Sequence, residues 1–254
     1  MKTTRREFTT LAAAAVTTNL LGLKSPIRAL GNKRRRAIVF DAFAIFDPNA
    51  IKLVAEELFE EKAVKLFDLW RAKQFEYQWL HTLMGTYADF WLCAEDSLTV
   101  VAKSLDLSLT AEKRDRLMNS YLNLQTWPEV SGVLRKLKDE NLSLAFLSNA
   151  TNKILQSNVK NVGISDLFEQ VLSTDSLKTF KPNPKAYQLA VDALGLAKEE
   201  IVFVAFAGWD AAGAKAFGYP TFWMNRASLP TEQLGFFPDA SGTNLTHLIS
   251  SVKN

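Results

Sequence analysis

The sequence predicts an α/β fold: a Rossmann-like parallel sheet core with a helical cap inserted after its first strand. Three observations predict it. Strand-length apolar runs alternate with helix-period segments after residue 128. Residues 50–125 contain no strand. The strand runs read as continuous apolar stretches, the pattern of strands covered on both faces.

Taken in order, "RAIVFD" is the first strand and ends on Asp41. "IKLVAEELFEEKAVKLFDLWRAKQFEYQWL" and "YADFWLCAEDSLTVVAKSLDL" follow, with apolar residues recurring at three and four. "TAEKRDRLMNSYLNL" opens on a threonine suited to start a helix. After Pro128 come "LSLAFLSN", a helix over 151–162, "QVLST", a helix over 184–195, "IVFVAF", a helix over 211–217 and "PTFWMN". The expected division is therefore a core from 33–48 and 128–254, with a cap from 49–127. The cap should sit over the C-terminal edge of the sheet, where open α/β sheets bind ligands.

Composition narrows the function. The chain has 254 residues, 48% of them hydrophobic, and a formal charge of +3. Lys24, Arg28 and the run Lys33–Arg36 carry the basic excess ahead of the first strand, and no basic stripe with interleaved aromatics suggests a nucleic-acid partner. Cys93 is the only cysteine, which excludes an intrachain disulfide and a thiolate metal cluster. His81 and His247 stand far apart and outside metal-binding spacing. At the N-terminus, "TTRREFTTLAAAAVTTNLLGL" pairs arginines with a weakly apolar stretch. It resembles a twin-arginine export signal, so residues 1–32 are expected to be signal and linker and the protein periplasmic. The apolar stretch is too short for stable membrane insertion. "FEYQWLHTLM" is a candidate homodimer surface.

The chemistry is carried by polar residues at successive strand ends. Asp41 closes the first, Ser148 and Asn149 the second; Lys181 in "FKPNPKAY" follows the third, and Asp210 in "VAFAGWD" closes the fourth. Each alone could cap a helix or shape a turn. Together, an acid, a hydroxyl–amide pair, a lysine and a second acid should converge on one crevice.

This order resembles the haloacid dehalogenase superfamily. Phosphatases of that superfamily read D-x-D in the first motif, whereas here Phe43 stands at the second acid's place and can neither protonate a leaving group nor hold a hard cation. "LWRAKQFEYQWL", "LSNA", "FKPNPKAYQLA" and "GWDAAGAKAFGYPTFWMNR" resemble the L-2-haloacid dehalogenase branch from residue 36 to 250. The resemblance implies a hydrolase of short 2-haloacids with no cofactor and no metal. Asp41 would displace halide to form an ester, which water then hydrolyses. Arg71 would assist the halide, Ser148 and Asn149 would hold the substrate carboxylate, and Lys181 would keep Asp41 ionised. Asp210 would orient Lys181 or the water, with Tyr187 in support. Phe43, Phe90, Tyr187 and Trp209 are the other expected substrate-pocket residues. The chain departs from the family at Ile45, where a threonine is usual, and at Ala205, Phe206 and Ala207, where serine and asparagine are common. Ala72 replaces a frequent glutamine. A non-catalytic protein that binds small carboxylates is the rival these losses suggest.

Overall fold

The computed structural model describes residues 34–252, so the expected export signal lies outside the described residues. Six strands form one parallel sheet in the order β3-β2-β1-β4-β5-β6: β1 Ala37–Phe40, β2 Ser143–Ser148, β3 Gln170–Ser173, β4 Ile201–Ala205, β5 Thr221–Met224 and β6 Ala240–Gly242. β1 lies between β2 and β4, with Ala37 opposite Ser143 on one side and Ile201 on the other.

Every residue of β1 and β4 is fully buried, which explains their unbroken apolar runs. Alternate side chains feed two cores. Ile38 and Phe40 pack on the face shared with the cap, while Ala37, Val39, Phe203 and Ala205 pack on the face that holds Tyr187 and Tyr219. The chain leaves β1 toward β2 on one side and β4 occupies the other. Their C-terminal ends therefore diverge into a crevice, and Asp41 stands at its mouth.

Directly after Asp41 a single turn, α1 (Ala42–Ile45), leads into the cap helices α2 (Asn49–Phe59), α3 (Ala63–Met84), α4 (Phe90–Ser104) and α5 (Ala111–Ser120). Gly85, at φ 67°, ends α3 in the left-handed conformation that favours glycine. Asp89 caps α4 by accepting from Leu92 N at 2.9 Å, and Thr110 caps α5 by accepting from Lys113 N. The two strands of chain that join cap to core are tied together. Phe46 and Thr126 form an antiparallel bridge, and Asp47 N donates to Gln125 O at 2.8 Å.

The core continues through α6 (Val130–Asp139), α7 (Asn152–Asn161), α8 (Pro184–Leu194), α9 (Gly208–Phe217) and α10 (Thr246–Val252). Two details differ from the sequence expectation. α9 starts at Gly208 rather than 211, so Asp210 lies in the first turn of a helix and not at a strand end. The sheet also gains β6, whose Ala-Ser-Gly sequence carries no apolar pattern; only pairing with β5 makes it a strand. Among the described residues no helix is long and apolar enough to cross a membrane.

Candidate active site

Asp41 receives its position from β1 and its orientation from α1. It is the N-cap of that turn, and Oδ1 accepts from Phe43 N at 2.9 Å. Its own N–H donates to Val204 O, tying the end of β1 to β4. Lys181 reaches the other oxygen: Nζ donates to Asp41 Oδ2 at 2.8 Å and to Asp210 Oδ2 at 2.6 Å. The Lys181 side chain is only 1% exposed, so the two acids compensate a charge that burial would otherwise disfavour. Burial alone would pull the ammonium down, but Asp210 and Asp41 together hold it above the usual lysine range.

Behind this pair stands Tyr187, fully buried, whose hydroxyl donates to Asp210 Oδ1 at 2.8 Å. Gly213 makes the approach feasible, since a Cβ there would come within 2.5 Å of the Tyr187 hydroxyl. Tyr187 was expected in the substrate pocket and is corrected to a support for Asp210, because its ring lies among the side chains of the opposite core. Burial pushes the Asp210 carboxyl up to about 6, against the pull of Lys181 and the Tyr187 hydrogen bond. Below that pH the carboxyl takes a proton and loosens its hold on Lys181. Activity is therefore expected to fall as pH drops through about 6. Tyr187→Phe removes a bond that favours the ionised form, so its acid limb should begin at higher pH. A pH–rate profile of both proteins checks this; an unmoved limb would detach Tyr187 from the titration.

Asn149 also needs correction. Its Oδ1 accepts from Lys181 N at 2.8 Å and from Thr174 Oγ1 at 3.3 Å. Its Nδ2 donates to Gln78 Oε1 on the cap at 2.9 Å and to Lys181 O at 3.4 Å. The side-chain amide is engaged in fixing the lysine loop and joining it to α3. Ser148, 2% exposed, accepts from Ala150 N at 3.1 Å, and its own proton has no acceptor among the described residues.

Arg71 approaches from α3. Its guanidinium lies over the rings of Phe43 (4.9 Å), Phe67 (5.6 Å), Phe75 (5.7 Å) and Phe206 (5.9 Å). Burial lowers its proton affinity, while Tyr121, Asp41 and Asp68 favour its charge; an arginine stays protonated under such opposition. Phe43 packs on Phe206 at 5.9 Å, and Trp209 meets Phe75 edge-on at 5.3 Å. A cavity of about 720 Å³ opens here, lined by Arg71, Phe75, Phe206, Trp209, Trp223 and Arg226 among others. Phe90, expected in the pocket wall, instead packs edge-on against Tyr121 inside the cap and does not line this cavity. Its buried position in the apolar stripe of α4 accounts for the difference.

The apolar departures sit close by. Ile45 and Ala205 are fully buried, and Ala207 is the N-cap of α9 with no side-chain capping bond. Cys93 is buried and its thiol is pushed up to about 12 by burial, which removes it as a nucleophile. Sequence reasoning missed Gln74, Gln78 and Phe75. The signal for the glutamines was present: they fall in the buried stripe of α3 with Leu66, Phe67 and Trp70, where polar residues are out of pattern.

A parallel sheet whose central strand delivers a buried acid to a lysine, beneath an inserted helical cap, defines a capped Rossmann-like α/β protein with an acid–lysine pair in its crevice. The family model for haloacid dehalogenase-like hydrolases matches residues 16–218. The chain is 38% identical over 215 residues to an (S)-2-haloacid dehalogenase of Pseudomonas sp. (strain YL), covering 84% of this chain and 93% of that protein. It is also 38% identical over 208 residues to a haloacetate dehalogenase of Moraxella sp. (strain B), covering 82% and 93%. The L-2-haloacid dehalogenase of Xanthobacter autotrophicus, solved with chloropropionic acid covalently bound, superposes with a TM-score of 0.78 at 30% identity, covering 87% of this chain and 99% of that one. The chain belongs to the haloacid dehalogenase-like hydrolases and, within them, to the L-2-haloacid dehalogenase family.

Proposed function

We propose that this protein hydrolyses short (S)-2-haloalkanoic acids to 2-hydroxy acids through an ester on Asp41. The observation that carries the reading is the Lys181–Asp41 contact of 2.8 Å at the mouth of the crevice, facing Arg71 and an aromatic wall. An Asp41 oxygen attacks C2 as the carbon–halogen bond breaks, and the halide leaves toward the cationic, ring-lined side. Water then adds to the Asp41 carbonyl carbon. The acyl C–O bond breaks, the hydroxy acid departs with one water proton, and the other water proton is released to solvent as Asp41 returns to its carboxylate. Each oxygen of Asp41 already faces a donor, Phe43 N or Lys181 Nζ. Whichever oxygen carries the carbon, the other remains polarised for the second step.

Incubation with L-2-chloropropionate, following free halide and intact protein mass together, tests this. Catalytic halide release with transient mass gain is expected. No halide and no adduct would remove the reading.

The second step is expected to be the slower one. Both Asp210 oxygens are already engaged, and Ala207 offers no side-chain polar atom for water. Adduct should accumulate before the steady state. Ala207→Asn supplies an amide at a helix N-cap, where it is also favourable for stability. Steady-state turnover should rise roughly tenfold or more while the initial halide burst stays unchanged; an equal effect on both phases would contradict the assignment.

Export belongs to the same proposal. Arg5, Arg6 and Phe8 ahead of an uncharged stretch up to Lys24 support a periplasmic location, which cell fractionation would overturn by finding the protein in the cytoplasm. Exposed Leu80, Leu83 and Met84 on α3 support a homodimer; a monomer on size exclusion at working concentration would remove it.

A further inference from the structure

Asp41 caps a turn that cannot hold itself. α1 has four residues, far below the roughly 12–15 at which an isolated helix becomes stable. The side chains of Ala42, Phe43, Ala44 and Ile45 carry no polar atom, and all four residues are buried, so the backbone groups of the turn need partners inside the protein. The Ala42 carbonyl accepts from Phe46 N at 2.8 Å, at the end of the turn itself. The other three carbonyls are taken from outside. Trp127 Nε1 donates to Phe43 O at 3.3 Å, and Trp127 N donates to Ile45 O at 3.1 Å. Arg226 Nη2 donates to Ala44 O at 3.4 Å.

Trp127 and Arg226 come from separate parts of the core and brace each other. Trp127 lies on the chain returning from the cap, ahead of α6, and Arg226 follows β5. The guanidinium sits over the Trp127 ring, 4.1 Å from its centroid. Its Nη2 also pairs with Glu129 Oε1 at 2.7 Å, and that oxygen accepts from Leu245 N at 3.1 Å. The two side chains of this ion pair are only 12% and 14% exposed, so solvent and salt screen it little. The brace meets the chemistry at Phe43. Trp127 holds its carbonyl, while its N–H donates to Asp41 Oδ1 at 2.9 Å. A displacement of about 1 Å in such a group can cost on the order of a hundredfold in rate, even when its cause lies away from the reacting atoms.

We infer that Trp127 and Arg226 are positioning residues that fix the α1 turn and so aim the Asp41 carboxylate and the Phe43 N–H bound to it. This rests on the Asp41-ester reading of the crevice. Both residues also line the 720 Å³ cavity, so a hold on the turn has to be told apart from contact with substrate.

The test follows single turnovers of L-2-chloropropionate by intact mass and rapid halide detection in the wild type, Trp127→Phe and Arg226→Met. Trp127→Phe deletes the indole N–H and keeps a ring beside the guanidinium. Arg226→Met keeps an apolar stem on the Trp127 ring and deletes the donors. Should it fail to fold because Glu129 loses its cation, Arg226→Lys keeps the charge without the planar fork. The rate constants for adduct formation and adduct loss belong to each active site, so a smaller folded fraction lowers amplitudes and leaves both constants alone. Where Asp41 Oδ1 becomes the ester carbonyl oxygen, adduct loss should slow about tenfold; where Oδ1 attacks, adduct formation should slow by as much. The half-saturating substrate concentration should stay within about twofold. Amide exchange at residues 42–46 should quicken roughly tenfold while β1 and β4 exchange as in the wild type. Two unchanged rate constants, or unchanged exchange in α1, overturn the inference. So does a raised half-saturating concentration with unchanged limiting rates, which would make the pair substrate contacts. A wild type that forms no adduct and releases no halide removes the dehalogenase reading alone, and exchange in α1 then decides the hold on the turn.

Discussion

Halide release by Asp41→Asn is expected to fall by roughly 10⁴-fold or more, the scale seen when a covalent nucleophile is removed. The substitution is nearly isosteric, and asparagine remains a good N-cap, so α1 should keep its place. What changes is chemistry: a neutral amide is a poor nucleophile at a saturated carbon, and no ester can form. The variant should still bind L-2-chloropropionate, because removing the Asp41 charge also removes its repulsion of the incoming carboxylate. Intact mass should show an adduct in the wild type during turnover and none in the variant. Persistent catalytic halide release from a folded Asp41→Asn protein would move the nucleophile elsewhere.

The second large effect is on Lys181. Its ammonium is shared by Asp41 and Asp210 at 2.8 and 2.6 Å, in a site where the lysine and Asp210 side chains are at most 2% exposed. Lys181→Met keeps the stem's apolar packing and deletes the one cation among the described residues in hydrogen-bond contact with both acids. Breaking a buried pair in this way costs on the order of 3–5 kcal/mol, because the remaining charges are left uncompensated. The sign with pH is definite. With the lysine gone, the buried Asp210 carboxyl, already pushed up to about 6 by burial, holds its proton still more tightly when folded than when unfolded, so stability is retained at acid pH and lost as pH rises. The deficit against wild type in urea unfolding should be clearly larger at pH 8 than at pH 5. Turnover should drop by about a thousandfold, since the nucleophile and then the ester carbonyl each lose the Lys181 donor. A deficit independent of pH would mean that the lysine acts through packing.

Part of this site is legible in the amino-acid sequence. Asp41, Ser148 and Lys181 stand out because a buried strand or its following loop has no packing reason to end on a polar group. The long stretch without strands between residues 50 and 125 shows itself by its period. Other residues mislead for local reasons. Asn149 looks like a ligand-binding amide because sequence cannot say that Lys181's backbone and Gln78 take up most of its contacts. Phe90 looks like a pocket wall because an aromatic at a helix start is equally suited to the cap interior. Asp210 moves from strand end to helix because α9 begins at Gly208, three residues earlier than its apolar period suggests.

The sequence by itself determined most of the elements, though not β6, the order in which they come and the identity of the acid and base groups, since periodicity and turn chemistry act over a few residues. Only the tertiary structure decided which of those groups meet. Asp41 and Lys181 are 140 residues apart, and Asn149 and Gln78 are 71 apart. Whether such groups touch depends on strand order and on how the cap is seated. Those are set by many weak packing contacts summed over the whole core, and no short window of sequence contains that sum.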